Sequence, residues 1–187
     1  MLSNPFYLSV LFVGALLTLL LSFPTSANES TCPAWMNHEF KQLHSTKRFN
    51  LCEVANGGPV LVINTASHCG YTEQFSQLEA LHQKYKDQGL TLVGFPSNSF
   101  KQAAKSEQEA ATVCYKNYGV TFYMTKILDV SGPSAHAVFQ YLSKKTHAPN
   151  WNFNKYLIDG QGNVIRHYDS QVKPLNSILE KDITSVF

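Results

Sequence analysis

The sequence has little charge and little cysteine. Charged residues make up 15% of the 187, and none falls in residues 1–27. Fifteen Lys and Arg against 13 Asp and Glu leave a net charge of +2, with no basic patch or charged tail. That balance argues against nucleic acid as a partner. Four cysteines are too few for a disulfide-built miniature scaffold, and their spacing fits no zinc module. The seven histidines form no i, i+4 metal pair. Residues 28–187 contain no repeat, low-complexity run or Pro/Gly linker, so they read as one domain. What the chain does have is apolar mass: 44% hydrophobic residues supply a core and exclude wholesale disorder.

Much of that mass lies at the start. Phe6 to Phe23 reads FYLSVLFVGALLTLLLSF, followed by Pro24-Thr25-Ser26-Ala27. A bilayer-partitioning run that ends at Pro with small residues at Thr25 and Ala27 is the pattern of a signal peptide, cleaved after Ala27 to leave Asn28. No Lys or Arg precedes the run, and it is just long enough to span a membrane, so an uncleaved anchor is the alternative. Either assigns 1–27 to targeting and places 28–187 outside the cytoplasm, secreted, periplasmic or membrane-anchored. There disulfides persist. Asn28-Glu29-Ser30 matches a glycosylation sequon but abuts the expected cleavage site.

Residues 40–55 hold two short alternating stretches, read as a hairpin. After the turn Gly57-Gly58-Pro59, Val60–Thr65 is a continuous apolar run, the pattern of a strand buried on both faces. Phe75, Leu78, Leu81 and Tyr85 have helical spacing within 72–88, and Gly89 stops that helix. Leu90–Phe95 is a second buried strand ended by Pro96. Helices are expected over 106–118, 134–145 and 174–184. A hairpin is expected at 153–159 and 163–168, around Gly160-Gln161-Gly162. The order predicts an α/β thioredoxin-like fold: a mixed central sheet flanked by helices, with an N-terminal hairpin. It requires 60–65 and 90–95 to be neighbouring parallel strands.

Asn64–Thr72, NTASHCGYT, follows the first buried strand and opens the first long helix. A cysteine there meets unpaired N–H groups that favour its thiolate, the reactive form. Strand carboxyl ends in open α/β sheets are also where active sites collect. Cys69 is therefore the candidate nucleophile, against the alternative of a buried inert thiol. Thr72 stands where a C-x-x-C pair would need a second cysteine, which counts against an ordinary disulfide isomerase. His68 could help stabilise the thiolate. Arg166, His167 and Lys173 read as a solvated rim more readily than as partners of an anionic thiol.

NTASHCGYT resembles the active-site segment of the glutathione peroxidase family in its cysteine form. The likeness continues through Leu90–Asn98 (LTLVGFPSN), Asn117–Phe122 (NYGVTF), Asp129–Gly132 (DVSG) and Trp151–Asp159 (WNFNKYLID), over residues 36–187. It implies a thiol peroxidase in which Cys69 attacks hydrogen peroxide or an organic hydroperoxide and becomes a sulfenic acid. Family members surround the nucleophile with Gln, Trp and Asn. Trp151 and Asn152 match the last two, and their N–H groups can donate hydrogen bonds to a thiolate or departing oxygen. The Gln is missing. The family pattern Phe, Pro, Cys or Ser, Asn, Gln, Phe is Phe95-Pro96-Ser97-Asn98-Ser99-Phe100 here, so Ser99 stands at the Gln position with a shorter reach. A water could bridge the gap, or Asn98 or Gln102 could turn inward.

Cys114 matches the resolving cysteine of the family's thioredoxin-dependent members. It implies an intramolecular Cys69–Cys114 disulfide, recycled by a thioredoxin-like dithiol more than by glutathione. Its helix would have to open to close the distance. The resemblance implies no dissociable cofactor or metal. The expected partners are a hydroperoxide substrate and a thiol reductant, and the chain is expected to be a monomer. Cys32 and Cys52 lie outside the catalytic pattern. A disulfide between them would staple the N-terminal segment to the hairpin, although four cysteines allow three pairings. Two other readings stay open: a weakened member serving as a redox sensor or binding module, for which Ser99 speaks, and a protein disulfide oxidoreductase.

Overall fold

A computed structural model describes Met1 and residues 32–187. The expected targeting segment and the sequon lie outside the described residues. No helix among the described residues is long and apolar enough to cross a membrane.

Five strands form the central sheet: β3 (Val60–Thr65), β4 (Thr91–Pro96), β5 (Tyr123–Met124), β6 (Lys155–Ile158) and β7 (Val164–Tyr168), in the order β5-β4-β3-β6-β7. β3 pairs parallel with β4, Val60 opposite Thr91 and Thr65 opposite Pro96, as the apolar runs require. β5 continues the parallel half. β6 and β7 add two antiparallel strands at the other side, so the sheet is mixed. Alternation divides each strand between two cores. Leu61, Ile63, Leu92 and Leu157 face one apolar cluster, and Val60, Val62, Val93, Phe95, Tyr156 and Ile158 face the other. The first cluster includes residues of α2 (Gln74–Tyr85), α3 (Glu107–Ala111) and α5 (Ile178–Thr184). The second includes residues of α1 (Leu51–Ala55) and α4 (Ala137–Lys145).

Element ends differ from the sequence expectation for local reasons. The N-terminal hairpin is shorter, with β1 (Glu39–Lys41) antiparallel to β2 (Arg48–Asn50). Residues 51–55, expected in the hairpin, form α1. The Asn50 side chain caps it by accepting the Cys52 N–H, and Asn56 ends it in the left-handed region at φ 45°. The 72–88 helix begins at Gln74 and tightens into a 3₁₀ turn at Lys86–Gln88. The helix expected over 106–118 is the short α3 followed by a π-turn, Thr112–Asn117. The last two helices begin later than expected, where His136 and Ser177 accept backbone N–H groups of the first turn.

Candidate active site

Three segments meet at the carboxyl end of β3. The first is the Cys69 turn. Cys69 does not sit at the helix start as expected: a tight turn over 70–73 separates it from α2. Thr72 makes that turn. Its hydroxyl accepts the Cys69 N–H at 3.1 Å and lies 2.7 Å from the Cys69 carbonyl, while its own N–H returns to that carbonyl at 3.0 Å. The position that would hold the second cysteine of a C-x-x-C pair is thus occupied by the residue that closes the loop. Cys69 is a free thiol, 7% exposed, and the Tyr71 N–H points at its sulfur from 3.5 Å. That backbone N–H is a hydrogen-bond donor aimed at the sulfur.

The second segment is Trp151–Asn154. β6 runs antiparallel to β3, so its entry lies beside the exit of β3. Asn64, fully buried near the end of β3, holds this entry. Its Nδ2 donates to Trp151 O at 2.9 Å, its Oδ1 accepts Asn154 N–H at 3.0 Å, and its carbonyl accepts Phe153 N–H at 2.6 Å. Phe153 adopts φ 61°, a left-handed conformation that costs a non-glycine residue about 1–2 kcal/mol. Its buried ring, edge-on to Phe75 at 5.2 Å, and the Asn64 clamp hold it there. Asn152 is fully buried, and Trp151 is 40% exposed beside Phe100.

The third segment is the 97–106 loop after β4. Ser99, the candidate at the Gln position, has its hydroxyl oxygen taken by Val130 N–H at 3.1 Å and by the Ser97 hydroxyl at 2.9 Å. It ties this loop to the Asp129–Gly132 segment. Gln102 instead reaches both other segments. Its carbonyl accepts the His68 N–H at 3.0 Å and its Oε1 accepts Asn152 Nδ2 at 2.9 Å. Gln102 was one of two alternatives legible in the sequence; Asn98 uses its side chain on Ala103 N–H within the loop.

Cys114, on the π-turn after α3, is free and 2% exposed, in the same apolar cluster as Cys69. Burial pushes its thiol up to about 12. α3 is tied to the Cys69 turn through Glu109. The Lys105 N–H and His68 Nε2 bind its two carboxylate oxygens at 2.9 Å each. The Lys105 N–H chiefly, outweighing desolvation, and His68 after it hold that carboxyl below its ordinary value. His68 therefore faces Glu109, and Arg166 pairs with Asp182 at 2.8 Å. Cys32 and Cys52 are joined in a disulfide, Cα–Cα 5.8 Å, connecting the N-terminal segment to α1. Among the described residues no three His, Cys, Asp or Glu side chains cluster as a metal site.

The sequence reading missed Lys155. Its ammonium is fully buried and donates to Gln74 Oε1 at 2.5 Å, Val172 O at 2.7 Å and Ser170 O at 3.3 Å, joining β6 to the start of α2. Alternation with Leu157 already placed it inward; its acceptors come from distant loops.

The glutathione peroxidase family model matches residues 36–143. The glutathione peroxidase-like peroxiredoxin gpx1 of Schizosaccharomyces pombe is 46% identical over 136 residues, 70% of this chain and 85% of that protein. The chain belongs to the glutathione peroxidase family. The glutathione peroxidase homolog BsaA of Staphylococcus aureus is 44% identical over 68% of this chain and 83% of its own length. Among solved structures, T. cruzi GPX1 aligns with TM-score 0.64 and 26% identity, over 81% of this chain and 95% of that one. A Mycobacterium tuberculosis DsbF structure aligns at 0.60 with 14% identity, which shows the shared thioredoxin-like fold alone. The chain is a peroxidase of this family, taking a hydroperoxide as oxidant and a thiol as reductant.

Proposed function

We propose that this peroxidase works through two cysteines, Cys69 as nucleophile and Cys114 as resolving thiol. The Cys69 thiolate attacks the terminal oxygen of ROOH. An S–O bond forms, the O–O bond breaks, and the departing alkoxide takes a proton to leave as ROH, or as water from hydrogen peroxide. Trp151 and Asn152 provide the polar wall against which charge moves from sulfur to oxygen. The Cys114 thiolate then attacks the Cys69 sulfenic sulfur, forming the S–S bond and expelling hydroxide, which becomes water on protonation. Two electrons from an external dithiol of thioredoxin type, or from two glutathione molecules, restore both thiols. No dissociable cofactor takes part. The observation that carries this reading is the pairing of two free, buried cysteines in one apolar cluster, one under a backbone N–H donor and the other on a π-turn. π-turns within helices occur frequently at functional sites.

The protein acts outside the cytoplasm, as a monomer, delivered by residues 1–27 as a signal peptide or held by them as an anchor. The Cys32–Cys52 disulfide supports an oxidising compartment.

The test is stopped-flow oxidation of the full chain, with Cys69 and Cys114 reduced, by hydrogen peroxide and an organic hydroperoxide. Cys69→Ser and Cys114→Ser are run beside it, with mass spectrometry of the end state. The expected result is consumption that needs Cys69 and ends in a Cys69–Cys114 disulfide absent from Cys114→Ser. A reaction no faster than free cysteine would leave the sensor or binding reading.

A further inference from the structure

We propose that Gln102 is a positioning residue of the peroxidase site, locking Asn152 and the Cys69 turn into one register; this rests on the peroxidase reading above. Two bonds from one residue carry it. The Gln102 carbonyl takes the N–H of His68, immediately before the nucleophile, and its side-chain oxygen takes Asn152 Nδ2. The two partners lie 84 residues apart in sequence (152 minus 68), and the residue that joins them comes from a third segment.

The loop is built to present this side chain. Asn98 closes a turn by accepting Lys101 N–H on its carbonyl at 2.9 Å and Ala103 N–H on its side chain at 3.3 Å. Lys101 reverses the chain in the left-handed region, φ 57°. A lysine held there costs about 1–2 kcal/mol relative to the ordinary helical region. Strain of this kind persists where surrounding contacts over-determine it, and the Gln102 bonds are the neighbouring contacts.

The clamp also decides which way the Asn152 amide faces. One Nδ2 hydrogen goes to Gln102, which fixes the amide's orientation, and Asn152 Oδ1 is buried with no protein donor. A buried acceptor left unpaired is costly, and its retention on a segment that Gln102 ties to the Cys69 turn fits a donor that arrives only during turnover. The O–H of the hydroperoxide and the O–H of the Cys69 sulfenic acid are both such donors. Asn152 then receives a hydrogen bond from the reacting oxygen, and Gln102 acts through it without touching the reacting atoms.

A double-mutant cycle tests this. The second-order rate of the reduced full chain with hydrogen peroxide is measured for wild type, Gln102→Ala, Gln102→Glu, Asn152→Ala and the Gln102→Ala/Asn152→Ala double variant, with thermal melts to confirm folding. Gln102→Ala should slow the wild-type reaction about 10²-fold, the cost of roughly 1 Å misplacement in a reacting site. It should cost less than about threefold once Asn152 is gone, because its action passes through that amide. Gln102→Glu keeps an oxygen for Asn152 Nδ2 and should retain more rate than Gln102→Ala. Equal losses in both backgrounds, or Gln102→Ala within about twofold of wild type, overturn the proposal while leaving the peroxidase intact. A wild type no faster than free cysteine overturns the peroxidase reading and this inference with it.

Discussion

Replacing Ser106 by alanine should accelerate disulfide formation while leaving peroxide consumption alone. Ser106 is the extended N-cap of α3, and its hydroxyl accepts the Glu109 N–H at 3.1 Å. α3 has only five residues and leads directly into the π-turn that carries Cys114. With its thiol pushed up to about 12 by burial, Cys114 is ionised to roughly 3 parts in 10⁵ at pH 7.5, whereas an exposed cysteine near 8.5 is about one-tenth thiolate. Opening the segment therefore multiplies the attacking thiolate about 3,000-fold. In the proposed two-cysteine cycle resolution runs through the open state, and the opening free energy enters its rate directly. Loss of an N-cap serine costs about 1 kcal/mol, which raises the open population about fivefold. Rapid quench at pH 7.5 followed by mass spectrometry would show the sulfenic acid appearing at the wild-type rate and the Cys69–Cys114 disulfide forming about fivefold faster. A disulfide phase that is unchanged or slower in Ser106→Ala would show that resolution does not pass through opening of α3.

Two further predictions concern stability. Burial pulls the Lys155 ammonium down to about 7, against an unfolded value near 10.4, so above pH 7 the unfolded chain binds more protons and stability rises with pH, by about 2 kcal/mol between pH 6.5 and 8.5. Cys114, exposed on unfolding, is about half ionised at the upper end of that window and offsets about 0.4 kcal/mol of the gain. Urea denaturation at the two pH values should show the gain in wild type and its absence in Lys155→Met; a flat wild-type profile would mean that the three oxygens around Nζ hold the amine charged throughout. The Cys32–Cys52 disulfide spans a sequence separation of 20, and closing a loop of that size is worth about 3 kcal/mol. Cys52→Ser should lower the urea midpoint accordingly, and an unchanged midpoint would show that the disulfide does not stabilise the fold.

The sheet was legible because β3 and β4 are buried on both faces, and a continuous apolar run is all such a strand needs to announce itself. β5 escaped notice because two residues carry no period. α1 escaped because five residues contain little more than one turn; its only marks are the asparagines at 50 and 56, which also suit the turn of a hairpin. The helix that follows Cys69 was found but entered too early, since Thr72 spends its hydroxyl on closing the turn before the helix begins. A threonine can do either, and the sequence does not say which.

The site divides the same way. Cys69, Trp151 and Asn152 could be named because short stretches around them are distinctive. What joins them could not be read, because the deciding bonds cross large separations: Asn64 to Trp151 spans 87 residues and Asn152 to Gln102 spans 50. Ser99 and Gln102 feel this most directly. They lie three positions apart on one loop, both polar and both able to donate, and composition favours neither. The choice is made by a tertiary competition. The Val130 N–H and the Ser97 hydroxyl claim Ser99, while the reversed backbone at Lys101 delivers Gln102 to the Cys69 turn. A missing side chain at one position of a motif is therefore weak evidence for a missing function when the loop that carries it can turn a neighbour into the same space.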